Sequence, residues 1–431
     1  MIIVDKALEA RVTQGKPLKV GVIGCGFLGG ALAFQILDRV PGMELSAIGT
    51  RSPAKALDIF SRSSSTPAVE TDSPDQINEC IHRGIPCVTS DPLLVCAGVG
   101  IDVILDASGS LETGVQIALS CIEHGKHLIL INAELDGTVG PLLYARARAR
   151  GLVFTGTDGD QPGTQMNLLR YVKSMGLKPL VAGNIKGLQD HYRTPETQKS
   201  FAAEWGQNPR MTTSFADGTK ISFEQALVAN ATGFRVSQRG MIGMDFKGHV
   251  DELTTRYDVE SLKSHGGIID YVVGPQPGPG IYVIALEEDP ERQKYLRYFK
   301  LGPGPLYSFY TPFHLCHLEA PISAARAALL GDEVVSPSFG PVVDVISMAK
   351  RDLKAGEIID GIGGFCVYGV CENADLTWRE GILPIGMSEG CRLLKDIPKD
   401  APILRADVEV PCDSLIHKLR DEQDAHFFGN P

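Results

Sequence analysis

The sequence predicts an α/β protein with a doubly wound parallel sheet, followed by an α+β segment and a small β domain. Short apolar runs alternate with helical patterns from Leu18 onward, which is typical of βαβ units. Polar runs replace that alternation from Asp158, and short strands and turns take over after Pro341. At 431 residues the chain is also too long for one ordinary core. We therefore predict three domains, 1–157, 158–340 and 341–431, with a helix at 319–330 packing back on the first.

Composition and charge limit the partners that we expect. The hydrophobic content of 43% and the charged content of 22% are those of a soluble globular protein. No apolar run approaches bilayer length and the N-terminus has no apolar signal core, so we expect a cytoplasmic protein that does not bind membranes. The net charge of −11 argues against nucleic acid as a partner. The ten cysteines show no C-x-x-C motif or metal spacing, which indicates reduced thiols.

The first strand runs directly into a glycine loop. The apolar run that ends at Ile23 is followed by the pattern G-x-G-x-x-G and then by a helical pattern. In this context the first glycine allows a tight turn, the second lets a pyrophosphate approach the backbone, and the third lets helix and strand pack closely. The helix N-terminus offers N–H groups to phosphates. The loop therefore predicts a dinucleotide site at Gly24, Gly26, Phe27, Leu28 and Gly29; the alternative is a turn without a ligand.

The end of the second strand predicts which dinucleotide binds. A carboxylate at this position would bind both ribose hydroxyls and select NAD. The chain has Thr50, Arg51 and Ser52 there instead. A guanidinium group and small hydroxyls suit a 2′-phosphate, so we predict NADPH as the cofactor. The alternative is that Arg51 is a solvated surface residue.

Later strands of the same sheet end in polar residues. Ligands bind outside the carboxyl ends of the strands in such sheets. The strand in 101–110 ends near Asp106 and Ser108, and the strand in 127–134 carries Asn132 and Glu134. We expect these side chains to face the site, with Ser108 and Asn132 beside the cofactor and Glu134 among the catalytic residues.

The middle segment carries the remaining candidates. Asp158 and Asp160 follow a strand two residues apart, and such a pair can bind Mg²⁺ or Mn²⁺; the alternative is an Asp-Gly turn. Lys186 lies just beyond a predicted strand at 180–182, where it can act as a general acid or anion ligand. Lys220 is predicted to lie in a hairpin turn. The other predicted catalytic and substrate residues are Asp190, Asn184, Arg193, Asn230, Ser323 and Arg326.

Three stretches resemble a known family. The run INAELDGTVGPLLYARARARGLVFTGTDGDQPG (131–163) resembles the Asn-Lys-Glu strand, helix and Asp-x-acid loop of deoxyxylulose phosphate reductoisomerases. The segments GNIKG…DHYRTPET and AKRDLKAGEIID resemble the homoserine-dehydrogenase-like oxidoreductases that end in an SAF domain, the DRL type. The resemblance implies a Rossmann domain, a catalytic and dimerisation domain, a β-clip-like SAF domain and a homodimer. Ala133 stands where the relatives have lysine, so either Lys186 substitutes for that lysine or the chemistry differs.

The resemblance also implies a reaction. It predicts an NADPH-dependent reductoisomerase that converts 1-deoxy-D-xylulose 5-phosphate, a phosphorylated keto-sugar, to 2-C-methyl-D-erythritol 4-phosphate in isoprenoid precursor synthesis. A divalent cation on Asp158 and Asp160 would polarise the substrate oxygens, and Arg193, Ser323 and Arg326 would hold the phosphate. One alternative is homoserine-dehydrogenase-type alcohol oxidation or oxido-isomerisation of a sugar acid. The other is a cofactor-bound sensor or a carbohydrate-binding protein.

Overall fold

The computed structural model describes residues 4–63 and 66–429. The strands are β1 (Leu18–Ile23), β2 (Met43–Gly49), β3 (Val69–Glu70), β4 (Cys87–Thr89), β5 (Val103–Asp106), β6 (His127–Leu130), β7 (Phe154–Gly156), β8 (Lys178–Lys186), β9 (Met244–Asp245), β10 (Ile268–Val273), β11 (Gly280–Leu286), β12 (Leu306–Thr311), β13 (Val343–Ala349), β14 (Val367–Asn373), β15 (Arg392–Leu393) and β16 (Val408–Glu409).

The helices alternate with these strands in the first part of the chain and are sparser towards its end. They are α1 (Asp5–Thr13), α2 (Phe27–Arg39), α3 (Pro53–Ser63), α4 (Pro74–Arg83), α5 (Pro92–Ala97), α6 (Leu111–Glu123), α7 (Ala133–Ala149), α8 (Gln161–Ser174), α9 (Lys199–Glu204), α10 (Pro209–Ala216), α11 (Thr219–Thr232), α12 (Val259–His265), α13 (Pro290–Tyr298), α14 (Cys316–Ala325), α15 (Ala374–Glu380) and α16 (Leu415–Phe428). In the described residues, no helix has both the length and the apolar character needed to cross a bilayer.

The chain forms two compact units, of which the N-terminal unit contains the described residues up to Asp160 together with Leu315–Ser336. Its parallel sheet has the order β3-β4-β2-β1-β5-β6-β7. β1 is apolar apart from Lys19 and almost wholly buried, as expected for a central parallel strand with helices on both faces. The strand order reverses between β1 and β5, and such a reversal opens a ligand crevice at the carboxyl ends of the strands. The predicted doubly wound sheet is confirmed.

Residues 315–336 complete the N-terminal unit from a distant part of the sequence. Ala320 and Ala324 of α14 lie in the same buried apolar cluster as Leu32 and Ile36 of α2. α14 ends in a π-helical turn, Arg326–Leu330. The chain then follows the edge of β7: Gly156 N donates to Val335 O at 2.8 Å, and the Val334 and Val335 N–H groups donate to Thr155 Oγ1 at 3.0 and 2.9 Å.

The C-terminal unit contains Gln161–His314 and the chain from Pro337 onward. Its larger sheet has the order β12-β11-β8-β10-β9, in which β8, β10 and β9 are parallel and β11 and β12 run antiparallel to them. Lys186 pairs with Val273 as the last residue of β8. The prediction that Lys186 lies just beyond a strand was therefore wrong, because the ladder with β10 continues to the lysine.

The chain after Pro341 is rich in short β structure, as expected. β13 and β14 form an antiparallel ladder from Val343↔Asn373 to Ala349↔Val367. The final helix, α16, is held on β13 by Arg420, whose Nη1 and Nη2 each donate to the Asp344 carboxylate at 2.7 Å. The identity of this segment as an SAF domain and the three predicted domain boundaries stay predictions.

Two local predictions differ from the structure. Lys220 lies in the first turn of α11 rather than in a hairpin turn, because the apolar residues that follow continue the helix inside the unit. β6 ends at Leu130, so Asn132 and Glu134 lie beyond the strand. Asn132 caps α7 by accepting a hydrogen bond from Leu135 N at 3.2 Å, and Glu134 falls in the first turn of that helix.

Candidate functional site

The glycine loop of the N-terminal unit has the geometry of a phosphate-binding turn. Gly24 has φ +94°, and a Cβ there would lie 2.5 Å from Ala107 O. A Cβ on Gly29 would lie 2.3 Å from Gly24 O, whereas a Cβ on Gly26 would have nothing within 4 Å. The first and third glycines are therefore required by the protein's own backbone. The second borders open space, as a backbone does where a pyrophosphate approaches it.

The start of α2 adds hydrogen-bond donors to this loop. Gly26 is the N-cap residue and no side chain caps the helix. The first N–H groups of a helix have no partner within the helix, and they carry a partial positive charge that attracts phosphates. Phe27 is exposed and Leu28 is partly buried at the same turn. The residues present therefore fit a bound dinucleotide.

The residues after β2 fit the adenosine end of a dinucleotide. Thr50 is buried, and its Oγ1 accepts a hydrogen bond from Ser52 N at 3.1 Å. Arg51 between them is exposed, and no carboxylate in the described part of the chain pairs with it. The guanidinium is therefore available to an anionic ligand.

The ends of β5 and β6 are tied together by polar side chains. Asp106 is fully buried; its Oδ1 accepts from Ser108 N at 2.8 Å, while Oδ2 has no partner in the described residues. Burial raises the pKa of this carboxyl to about 6. Asn132 is buried and its Nδ2 donates to Ser110 O at 3.1 Å. Both Ser108 and Asn132 are therefore positioned at the carboxyl edge of the sheet.

The loop after β7 brings three of the predicted site residues together. Asp158 Oδ1 pairs with Arg326 Nη1 at 2.7 Å, and Ser323 Oγ donates to Asp158 Oδ2 at 2.8 Å. Arg326 also pairs with Asp332 at 2.8 Å. The Asp158, Ser323 and Arg326 side chains are buried and satisfy one another. The structure therefore gives Ser323 and Arg326 a different task from the predicted phosphate binding.

The same contacts bear on the predicted metal site. Both carboxylate oxygens of Asp158 are engaged by a guanidinium or a hydroxyl, and a positive charge already neutralises the group. Asp160 is partly exposed two residues later. Among the residues that the structure describes, no group of three or more His, Cys, Asp or Glu side chains is arranged to hold a metal ion. The donor set does not fit a resident divalent cation, so the predicted metal role finds no support.

A second polar cluster lies in the C-terminal unit around the end of β8. Lys186 Nζ lies 3.7 Å from Glu224 Oε2, and Asn184 Nδ2 donates to the same oxygen at 3.0 Å. The Gln161 amide contacts the Asn184 amide at 2.8 Å and the Glu224 carboxylate at 2.7 Å. Asn184, Glu224 and Gln161 are buried, whereas the Lys186 side chain keeps 15% of its surface exposed. The cluster thus holds one ammonium group at the edge of a buried polar network.

Two members of this cluster were missed from the sequence. Gln161 directly follows the acidic loop that drew attention to Asp158 and Asp160. Glu224 had a usable signal, because it is the only charged residue in the otherwise uncharged helical run 221–231. A lone carboxylate in such a run needs a buried partner. The partner is Lys186, which no local pattern identifies.

The other predicted residues of the C-terminal unit have partners of their own. Asp190 Oδ2 accepts from Arg193 Nε at 3.0 Å in the loop after β8. Asn230 is buried on α11, where its Oδ1 accepts from the Val342 and Val343 N–H groups at 2.8 and 2.9 Å. The side-chain oxygen of Asn230 therefore accepts hydrogen bonds from the backbone at the start of β13. The structure brings Asn184 together with Lys186, and Asp190 together with Arg193.

The Lys186 cluster has a definite chemical capacity. Lys186 brings an ammonium group to the edge of the network, beside the Glu224 carboxylate. It can donate a proton, or a hydrogen bond, to a carbonyl or alkoxide oxygen. The buried amides of Gln161 and Asn184 fix the carboxylate that holds the ammonium.

The middle of the chain matches a family of known proteins. Residues 159–320 match the family described as oxidoreductase DRL, catalytic domain. A homoserine dehydrogenase from Pseudomonas aeruginosa is 27% identical over 147 residues, which is 32% of this chain and 28% of that protein. A homoserine dehydrogenase from Synechocystis is 24% identical over 144 residues, again 28% of its own length. The alignments thus span little more than a quarter of these relatives.

Two solved dehydrogenase structures resemble this chain weakly. A probable dehydrogenase from Thermotoga maritima has 13% identity and a TM-score of 0.43, covering 75% of this chain and 92% of its own. A myo-inositol 2-dehydrogenase from Lactobacillus plantarum has 10% identity and a TM-score of 0.41, covering 74% and 91%. Likenesses of this size say nothing about the substrate.

Proposed function

We propose that the chain is an NAD(P)-dependent oxidoreductase of the homoserine-dehydrogenase-like and DRL kind and that it reduces a carbonyl group of a small polar substrate with NADPH. Lys186 is the proton donor. The observation that carries the proposal is the position of Lys186 Nζ, 3.7 Å from the buried Glu224 carboxylate and partly open to solvent. The protein acts as a cytoplasmic homodimer in this proposal.

The proposed step balances with two transfers. Gly24, Gly26 and Arg51 would hold NADPH, which would supply a hydride to the carbonyl carbon. Lys186 Nζ donates a proton to the carbonyl oxygen, which becomes a hydroxyl, and the neutral amine regains a proton from solvent. Glu224 keeps the ammonium in place, and Asn184 and Gln161 keep Glu224 in place. Lys186 thereby takes the role of the lysine that relatives have where this chain has Ala133.

The resemblance to DRL enzymes supports 1-deoxy-D-xylulose 5-phosphate as the first substrate to test. In that reaction a carbon-skeleton rearrangement precedes the reduction. A second candidate is the oxidation of an unphosphorylated alcohol or sugar acid, in which the same groups run in reverse. It is favoured by Ser323 and Arg326, because their burial against Asp158 leaves Arg193 as the remaining predicted phosphate ligand.

The proton-donor role is tested with Lys186→Met in the full chain. We expect kcat to fall about 10²- to 10⁴-fold, while the Kd for NADPH stays unchanged. Lys178→Met is the matched control, because Lys178 is exposed at the opposite end of the same strand, β8, and its loss should change neither quantity. Unchanged turnover in Lys186→Met would refute the role.

Substrate and cofactor are tested separately. The purified protein is assayed with deoxyxylulose phosphate and NADPH, and with homoserine and sugar acids and NADP⁺. Cofactor binding without turnover of any of these substrates would favour a sensor.

The cofactor prediction is tested with Arg51→Ala. This variant should bind NADPH about tenfold or more weakly, because it removes charge-assisted hydrogen bonds. NADH binding should not change. Arg62→Ala, at an exposed arginine of α3 paired with Asp58, is the control.

A further inference from the structure

The loop of residues 189–193 lies three residues beyond Lys186 and is held from two sides. On one side, the end of α10 and the residue after it accept its hydrogen bonds. Asp190 N donates to Ala216 O at 2.8 Å, and His191 Nδ1 lies 2.8 Å from Asp217 O. The carbonyl partner fixes the proton of His191 on Nδ1. On the other side the loop contacts the chain after Pro341.

Lys350 is the main contact on that second side. It directly follows β13, is buried, and pairs with the fully buried Asp217 carboxylate at 2.8 Å. Its Nζ also donates to Arg193 O at 2.7 Å and to Gly364 O at 2.8 Å. Two N–H donors of the ammonium are therefore used in hydrogen bonds, and its charge is paired with the Asp217 carboxylate. These three contacts join the 189–193 loop, the turn between α10 and α11 and the segment before β14 at one atom.

Aromatic rings extend the contact beyond Lys350. The Tyr368 ring of β14 stacks on the His191 ring with centroids 4.5 Å apart. Asp400 accepts hydrogen bonds from the Tyr368 and Tyr192 hydroxyls at 3.0 and 2.9 Å. Lys399 Nζ lies 3.6 Å from the centre of the Tyr192 ring. Each of the residues 191, 192 and 193 thus has its own partner in the C-terminal part of the chain.

We propose that β13, β14 and the Lys399–Asp400 turn act as a clamp that sets the position of the 189–193 loop, with Lys350 as the positioning residue. The inference rests on the proposed function in one respect, namely that Arg193 binds the substrate. It gives the C-terminal β segment a part in catalysis without any catalytic residue of its own: the segment determines where the loop after Lys186 presents its side chains.

The test uses the full-length double variant Asp217→Asn/Lys350→Met. It removes the buried charge pair as a whole, so that no uncompensated carboxylate is left, and Asn keeps the oxygen that accepts from Thr219 N. Hydrogen exchange of the amides in 189–197 should rise about tenfold or more, while the amides of β1 and α2 keep their protection. Lys354→Met, which breaks an exposed pair with Asp396 in the same segment, is the control and should change nothing.

A milder variant and a kinetic measurement complete the test. Tyr192→Phe removes one hydrogen bond to Asp400 and should raise exchange in the same amides by a smaller factor. In both variants kcat/KM should fall, by about a hundredfold in the double variant, with the Kd for NADPH unchanged. Unchanged exchange in 189–197 would overturn the clamp whether or not the wild-type protein turns over any tested substrate. Raised exchange with unchanged kcat/KM would overturn the positioning role.

Discussion

At the scale of single residues, the buried charges of the N-terminal unit divide into those that have a partner and those that do not. Arg326 belongs to the first group and is among the largest fully buried side chains in the described residues. Its guanidinium is neutralised by Asp158 and Asp332. A buried ion pair is weak evidence of net stabilisation, but the loss of one partner leaves an isolated charge in an apolar environment.

Arg326→Met should therefore lower the free energy of unfolding by about 3–5 kcal/mol. Asp158→Asn/Arg326→Met should recover much of that loss, because the fully buried carboxylate is gone and the other partner, Asp332, keeps 23% of its side chain exposed. Urea titration of both variants measures the difference. Arg62→Met is the control: its exposed pair with Asp58 on α3 should contribute no more than about 0.5 kcal/mol. Equal stability of the single and double variants would contradict the inference that the isolated Asp158 charge causes the loss.

Asp136 represents the second group. It is fully buried on α7, its Oδ2 has no partner among the described residues, and burial raises the pKa of its carboxyl to about 7. The unfolded chain titrates the same group near 3.8. The folded state therefore binds the proton more tightly, and the stability contributed by the protonated carboxyl is complete below pH 3.8 and lost as the pH rises through about 7.

Asp136 should contribute on the order of 4 kcal/mol to the fall in unfolding free energy from about pH 4 to about pH 8, and Asp106, with its pKa raised to about 6, should add to the same fall. Asp136→Asn should remove the share that Asp136 contributes, because an amide does not titrate. The expected result is a flatter profile rather than a more stable protein, since the amide N–H groups also need partners. A variant with the slope of the wild type would show that other groups cause it.

At the scale of elements, two glycines at the start of α2 have different roles, although they belong to one sequence motif. Gly29 is required by the fold, since a Cβ there would lie 2.3 Å from Gly24 O. Gly26 is not, since a Cβ there would contact nothing within 4 Å. Its extended backbone, with φ −77° and ψ −157°, suits alanine as well. The two positions should respond oppositely to the same substitution.

Gly29→Ala should lower the free energy of unfolding by about 1–3 kcal/mol, because the backbone of the turn must move. Gly26→Ala should stay within about 0.5 kcal/mol of the wild type, yet bind NADPH about tenfold or more weakly because the methyl group meets the pyrophosphate. Thermal unfolding and fluorescence titration measure the two quantities. Normal NADPH binding by Gly26→Ala would show that the phosphates do not approach this residue.

The elements near the glycine loop were also those that sequence patterns predicted best. Period and turn signals located β1, β5 and their helices because each lies within one contiguous run. Lys220 and Lys186 were misplaced by the same reasoning. The Asp217–Gly218 dipeptide before Lys220 gave a true turn signal, but the helix begins directly after it. The β8 ladder reaches Lys186 through pairing with β10, which is a contact that no local pattern contains.

At the scale of the whole molecule, the site could be predicted only where its parts are close in the sequence. The dinucleotide residues around Gly24 and Arg51 follow from local motifs. The partner of Lys186, Glu224, comes from a different helix. The ion pair of Asp158 with Arg326 joins residues 168 positions apart, so an apparent ligand in the sequence proved to be already engaged.

The two units contain interleaved parts of the sequence, and this predicts how a ligand should protect them. NADPH at about 100 times its Kd should stabilise the unit that binds it by about 2.7 kcal/mol. Hydrogen exchange should therefore slow in residues up to Asp160 and also in Leu315–Ser336, which belong to the same unit. Residues 161–314 serve as the internal control. Protection that stops at Asp160 would contradict the assignment of the returning segment, Leu315–Ser336, to the N-terminal unit.

The returning segment also has a consequence for any attempt to shorten the protein. β7 is the last strand of its sheet, and Val335 covers part of its open side through a backbone hydrogen bond from Gly156. A fragment that ends at residue 157 would lose this cover and the apolar face of α14 together. An uncovered edge strand beside exposed apolar residues is a template for self-association. Such a fragment should aggregate even though it contains every residue of the dinucleotide motif, because the edge is protected only by chain synthesised more than 150 residues later.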